Sequence, residues 1–372
     1  MKIIQILPEL NSGGVERGTL ELSRFLVKQG HDSLVISNGG RLVDTLESEG
    51  GKHITLPVHR KSPRSIPQIL KLRGVFQDLQ PDIVHVRSRL PAWLTWLAWK
   101  GLKPAVRPRL ITTVHGFYSV NRYSRIMTEG DPVICVSRSI RDYVLANYPG
   151  VPESRLRIVH RGVDPSELPY GYQPDAEWLR QWKADYPQLE GRYVLTLPGR
   201  MTRLKGHLDF IKVIGNLNRA GIPTSGLIVG DVHPKKREFE QEVRNAVSGE
   251  GMDDAVIFTG HRSDVREIMA VSDVVISCST QPESFGRVTL EALSLGIPVA
   301  AYDHGGVTEQ LEELMPEGRV PVRDTAALTD RLKRWYDDRP APRNTTDHSF
   351  TLDQFWKDTL SIYENTAQRR AA

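Results

Sequence analysis

Val274-Val-Ile-Ser-Cys-Ser279 is an apolar run, and four residues later the chain reads Glu283-Ser-Phe-Gly-Arg-Val-Thr-Leu-Glu291. The second run continues as Ala-Leu-Ser-Leu295 and closes at Gly296-Ile-Pro298. A short buried strand, a turn centred on Gly286 and a helix account for this order of residues. Glu283 then falls on the loop at the carboxyl end of the strand, and Glu291 about two turns into the helix. The first-turn N–H groups between them have no intrahelical partner and are open to an anion. Two carboxylates on either side of such an amide nest suit a ligand with a central diphosphate and hydroxyl-bearing rings at both ends. A sugar nucleotide has that form.

The same strand–turn–helix unit recurs outward in both directions. On the amino side, residues 2–7, Leu34–Ser37, Asp82–Val86, Leu110–Val114 and Pro132–Val136 read as short apolar strands separated by helical stretches. After the polar, Pro-containing stretch Asp164–Gln188 the pattern restarts at Tyr193–Leu197. It runs on through Gly226–Gly230, Ala255–Phe258, Asp273–Ser277 and Pro298–Tyr302. Alternation of this kind implies parallel sheets covered on both faces. The fold class is therefore α/β, with two tandem doubly wound, Rossmann-like domains and an interdomain cleft. The expected boundaries are 1–172 and 173–350, with a helical, aromatic stretch at 351–372 packing back on the first domain. Ligands of such sheets bind beyond the carboxyl ends of strands.

The chain has 372 residues, enough for two domains, and its charged and apolar content is that of a globular protein. Cys135 and Cys278 both lie in apolar strand-like runs, which predicts buried thiols and excludes a disulfide framework or zinc spacing. No secretory leader is read at Met1–Leu7, and no apolar run reaches the ~18 residues of a bilayer span, so a cytoplasmic location is expected. Residues 1–172 hold 24 Lys+Arg against 15 Asp+Glu, a net of +9, whereas the remainder holds 25 against 30, a net of −5. A basic first half points to an acidic substrate or an anionic surface. Nucleic acid is not expected, because no recognition motif accompanies the charge.

Five motifs in order resemble those of retaining GT-B glycosyltransferases, specifically glycosyltransferase family 4, over nearly the whole chain. Glu283…Glu291 corresponds to that family's E-x7-E element. Gly199-Arg200…Lys205-Gly206 matches its phosphate-binding pair, Gly13-Gly14-Val-Glu16 its first-domain glycine loop, and His115-Gly116 its strand-end histidine. Arg161-Gly-Val-Asp164 is similar to its tag before the domain linker. The sequence departs from the pattern at Ser284, at Arg287-Val288 and at Phe117, where relatives often carry an acidic residue.

The resemblance implies a metal-independent, retaining hexosyltransferase that uses a nucleotide sugar, a UDP-hexose in the first instance, and needs no cofactor. Arg200 and Lys205 would neutralise the departing diphosphate, Glu283 would contact the transferred sugar, and His115 would meet the same sugar from the first domain; these four form the expected catalytic set. Donor binding is expected from Gly13, Gly14, Arg262, Ser284, Phe285, Gly286 and Glu291, the last at the ribose diol. Retention would proceed by same-face attack, the leaving phosphate oxygen accepting the acceptor's proton.

The acceptor side is less sharply defined. His59–Arg64, Lys71, Arg73, Arg87, Arg89 and Lys100–Arg109 cluster in the first domain, with Trp93, Trp96 and Trp99 at helical spacing among them. One expectation is a surface that meets the anionic inner membrane or a phosphorylated glycolipid. The corresponding function is extension of a glycan or glycolipid in lipopolysaccharide core, O-antigen or other surface polysaccharide synthesis. The alternatives are a soluble small-acceptor glycosyltransferase and a non-catalytic sugar-nucleotide-binding protein.

Overall fold

A computed structural model describes residues 1–11, 13–62, 65–232, 237–344 and 348–371, with the backbone alone at 369–371. Ser12 of the glycine loop and Arg64 of the basic run lie outside the described residues.

The chain divides into two compact units, one of residues 1–160 with 353–372 and the other of residues 161–352. In the first, seven strands form one sheet: β1 (Lys2–Ile6), β2 (Asp32–Ser37), β3 (Lys52–Thr55), β4 (Ile83–Val86), β5 (Arg109–Val114), β6 (Val133–Cys135) and β7 (Leu156–Ile158). Their order is β3-β2-β1-β4-β5-β6-β7. The second holds β8 (Tyr193–Pro198), β9 (Thr224–Val229), β10 (Val256–Gly260), β11 (Val274–Ser277), β12 (Val299–Tyr302) and β13 (Arg319–Val320), in the order β10-β9-β8-β11-β12-β13. Every pairing is parallel. Strand order reverses between β1 and β4 in one sheet and between β8 and β11 in the other. These are the switch points outside which ligands of doubly wound sheets bind.

Sequence reading missed β3, β7 and β13. All three are sheet edges. An edge strand is covered on fewer sides and need not be apolar, so Lys52-His-Ile-Thr55 and the two-residue Arg319–Val320 give no hydropathy signal. Central strands are the reverse case: Ile3, Ile4, Ile6, Ile83 and Val84 have no exposed surface, and each buried aliphatic side chain contributes about 1.5–3 kcal/mol.

Residues 161–172, read with the first domain, bond within the second unit. Val163 donates to Phe350 O at 3.1 Å and Gly171 to Leu295 O at 2.9 Å. The terminal helix Leu352–Ala371 packs on the first sheet, with Phe25 stacked on Trp356 at 5.3 Å. Buried beneath it, His85 lies between the Tyr363 hydroxyl and Thr113 Oγ1, 2.6 Å from each. Burial, with Arg87 beside it, holds the His85 imidazole well below its ordinary pKa, so the ring is neutral.

The tryptophan stripe of the helix Arg89–Lys100, read as a candidate membrane belt, is half-buried and packs against the core of the first unit. Trp93 Nε1 donates to Tyr123 O at 3.0 Å and Trp99 Nε1 to Pro108 O at 2.7 Å. A buried indole N–H needs such a partner, and these bonds fix the rings to their own fold. Among the described residues no helix is long and apolar enough to cross a membrane.

Candidate active site

Four of the charged residues singled out in the sequence, Arg200, Lys205, Glu283 and Glu291, lie on the segments that follow the two strands of the second sheet's switch point. β8 ends at Pro198 and feeds the loop Gly199–Gly206, and β11, its neighbour, feeds residues 278–286. Gly206 joins the loop to the helix His207–Arg219 in a left-handed conformation, φ 72°. A Cβ there would sit 1.9 Å from the carbonyl oxygen of Cys278. Only glycine lets the two strand-end loops approach this closely.

That approach brings Lys205 to Glu283, with Nζ donating to Oε1 at 2.7 Å. The two side chains are 26% and 23% exposed, so the pair is sheltered but open to a ligand. Ser279 Oγ also donates to Glu283 Oε1. His304, on the loop after β12, donates from Nε2 to Ser279 O at 2.7 Å. Burial by itself would raise the Glu283 pKa. The Lys205 charge, the hydrogen bonds from Lys205 and Ser279, and His304 outweigh it and hold the carboxyl below its ordinary value. Glu283 is therefore an ionised acceptor of hydrogen bonds near neutral pH. Its main chain is pinned as well, its carbonyl accepting from Gly306 N–H at 2.8 Å.

Gly286, left-handed at φ 86°, begins the helix Arg287–Ser294 without a side-chain cap. Ser284 lies on the loop before it. Phe285 points away from the loop: its side chain is 4% exposed and packs near Phe350, and its carbonyl accepts from Gln310 Nε2 at 2.6 Å. Only its backbone is at the site. Glu291 stands on the same helix with Arg287 Nε 3.5 Å from its Oε1, which gives the unexplained Arg287 a partner. Arg200 is exposed on the β8 loop and has no carboxylate partner among the described residues.

Arg262 is placed differently. It pairs with Asp264 through Nε at 2.8 Å and Nη2 at 2.6 Å and lies 5.8 Å from the centre of the Trp182 ring. The structure engages its guanidinium there and not with Lys205, Glu283 or Glu291. Gly13, Gly14 and His115 belong to the first unit, at the carboxyl ends of β1 and β5. Gly13 (φ 146°) caps the helix Gly14–Lys28, and the Glu16 carboxylate folds back over it. The backbone N–H of His115 donates to Tyr118 Oη at 3.1 Å.

Ser279 and His304 were not singled out in the sequence. Both follow central strands of the sheet, and position at a strand end was the signal available for them. Among the described residues no three His, Cys, Asp or Glu side chains are grouped as a metal ion requires. Both cysteines are buried and free.

A lysine and an ionised glutamate at a switch point, beside an uncapped helix terminus, can bind a phosphate and sort the hydroxyls around it. Residues 12–167 match the model for Glycosyltransferase Family 4, and residues 180–349 that for Glycosyl transferases group 1. The chain is 34% identical, over 85% of its length and 81% of the relative's, to 2-deoxystreptamine N-acetyl-D-glucosaminyltransferase of Streptomyces fradiae. It is 26% identical, over 92% of its own length and 88% of the relative's, to N-acetyl-alpha-D-glucosaminyl L-malate synthase of Bacillus anthracis. Among solved structures, a glycosyltransferase from Rickettsia africae ESF-5 superposes with a TM-score of 0.84 at 28% identity, over 98% of each chain. The chain belongs to the glycosyltransferase family 4, group 1 type, and has the GT-B α/β fold. It is a glycosyltransferase.

Proposed function

We propose that the protein transfers a hexose or N-acetylhexosamine from a nucleotide sugar, a UDP-sugar in the first instance, to a polar acceptor, with retention of configuration and without a metal ion. The Lys205–Glu283 pair at the β8/β11 switch point carries this reading. In it, Lys205 moves from the carboxylate to the donor diphosphate. Arg200 adds a forked cation, and the two stand in for a divalent metal. The free Glu283 carboxylate accepts from sugar hydroxyls. Glu291 takes the ribose diol, and the first-turn amides after Gly286, with the backbone of Ser284 and Phe285 before it, take the phosphate. Gly13, Gly14 and His115 serve the donor or acceptor from the first unit.

A thermal-shift panel of UDP, GDP and ADP sugars tests the donor. A ligand at 100 times its dissociation constant adds about 2.7 kcal/mol, so one member should raise the melting temperature and the others should not. The anomeric configuration of the product, read by NMR, tests retention. Unchanged turnover in chelator tests metal independence. Near-normal turnover by Glu283→Gln would remove the carboxylate from the chemistry.

The acceptor in the first reading is a glycan or glycolipid of lipopolysaccharide or other surface polysaccharide synthesis, with the protein on the cytoplasmic face of the inner membrane. Two observations favour a second reading, a small polar acceptor. Trp93 and Trp99 of the basic unit are hydrogen-bonded into it. The Streptomyces fradiae relative is named for a small aminocyclitol acceptor. Co-sedimentation with anionic vesicles at low salt separates the two, and no binding leaves the second.

A further inference from the structure

The first unit carries a charge pattern that donor binding does not use. Residues 50–77 and 83–128 contain no Asp or Glu, yet hold fourteen Lys and Arg. Three of the segments that follow strands here, those after β3, β4 and β5, converge on one aromatic ring. Lys61, on the loop after β3, places Nζ 5.0 Å from the centre of the Tyr123 ring. Arg89, just after β4, places its guanidinium 5.5 Å from the same ring and 4.8 Å from that of Tyr118. Both rings belong to the segment following β5.

The arrangement is held from behind. Arg89 Nη1 donates to Ser124 Oγ at 3.2 Å. Trp93 Nε1 holds the Tyr123 carbonyl, Asn121 caps the turn by accepting from Ser124 N–H at 2.8 Å, and the Tyr143 hydroxyl donates to the Tyr118 carbonyl at 2.5 Å. Lys61 and Arg89 have no carboxylate partner among the described residues, and their neighbouring segments supply none. Two cations on one ring repel each other, and a cation over an aromatic face gains only about 0.5–1 kcal/mol at an exposed site. An anion reached by both would relieve the repulsion and accept charge-assisted hydrogen bonds from both.

We propose that Lys61, Arg89 and the Tyr123 hydroxyl form a subsite for an anionic group, phosphate or carboxylate, carried by the acceptor. This rests on the reading of the protein as a nucleotide-sugar-dependent transferase, and it names the acceptor class: an anionic small molecule or a phosphorylated glycan. The site lies at the carboxyl edge of the first sheet, beside the strand end that carries His115, where a ligand of a doubly wound sheet is expected.

The test is hydrogen–deuterium exchange of the full chain with inorganic phosphate, ionic strength being matched with chloride. Phosphate is expected to protect peptides covering 57–62 and 116–125. Lys61→Glu, at an exposed position that does not threaten folding, should raise the phosphate concentration for half-protection about tenfold or more, and Arg89→Gln should do the same where it folds. Absence of protection at 116–125 overturns the proposal, as does protection unchanged in Lys61→Glu. Phosphatidylglycerol and phosphatidylcholine vesicles form the second arm. Protection by the anionic vesicles alone, extending to the exposed Ile66 and Leu70, would assign the charge to a lipid surface and overturn it. A nucleotide sugar run in parallel separates the two readings. Its failure to protect 199–206 and 283–291 counts against the donor site, whereas phosphate protection at 116–125 is scored independently.

Discussion

The two sheets of this protein share a topology and differ in what they place at their carboxyl edges. At the β8/β11 switch point a lysine meets a glutamate, and a second glutamate stands two turns along the adjoining helix. At the ends of β4 and β5 there are arginines, a histidine and tyrosines, with no acidic residue between Ile83 and Thr128. Opposed charges suit a ligand that alternates phosphate with hydroxyls, because the carboxylates read the hydroxyls and the lysine reads the phosphate. A stretch of edge that carries only cations, as after β4 and β5, suits a ligand that brings its own negative charge. On the proposed reading, one scaffold used twice serves two substrates by changing the residues at strand ends and leaving the strands alone.

Breaking the charge pair is expected to have the largest effect. Lys205→Ala should lower kcat by about 10²–10³, on the order of 3–4 kcal/mol, the range for losing one preorganised charge at a developing anion. Steady-state turnover measures it, and Lys61→Glu assayed in parallel should leave nucleotide-sugar affinity intact. Next comes the backbone that makes the pair possible. Gly206→Ala sets a Cβ against the Cys278 carbonyl in a left-handed position and should cost on the order of 3 kcal/mol in denaturant unfolding.

In the first unit the matching test is Tyr363→Phe, which takes a hydroxyl from buried His85 and should cost about 1–3 kcal/mol. The same network predicts a pH dependence. His85 is held below its ordinary value of 6.5 in the folded state, so the unfolded chain binds its proton first. Its contribution to stability is then full above about pH 6.5 and is lost progressively as pH falls below that value. His85→Gln should flatten the stability–pH slope between pH 6.5 and 5, and an unchanged slope would remove His85 from the account. The smallest effect is expected at Arg287→Ala. It frees Glu291 from an i,i+4 pair worth about 0.3–0.5 kcal/mol and should shift the melting temperature by a degree or so while leaving turnover nearly intact.

Much of this was legible in the sequence, and the boundary of legibility is physical. Central strands announce themselves because both faces are buried, so Val274–Ser277 and Leu110–Val114 read directly. Edge strands such as Lys52–Thr55 do not. Gly206 and Gly286 could be read as turns, but the Lys205–Glu283 contact could not, since it joins loops 78 residues apart in the chain. Ser279 and His304 escaped because a lone serine or histidine has no pattern until a strand end fixes its direction. Arg262 and Phe285 were expected as donor contacts from the family resemblance. The structure gives the first an aspartate and an indole and turns the second into the core. The tryptophan stripe followed helical spacing, but spacing does not tell which indole N–H finds a carbonyl inside the fold.

The central claim is that the donor is held by the second sheet's opposed charges and not by the first sheet's cations. Isothermal titration with whichever nucleotide sugar raises the melting temperature tests this most directly, comparing wild type with Lys205→Ala, Glu291→Ala and Lys61→Glu. The account predicts affinity weakened about tenfold or more in the first two variants, or about 1.4 kcal/mol each, and unchanged in the third. Wild-type affinity in Lys205→Ala and Glu291→Ala, with loss of binding in Lys61→Glu, would contradict it.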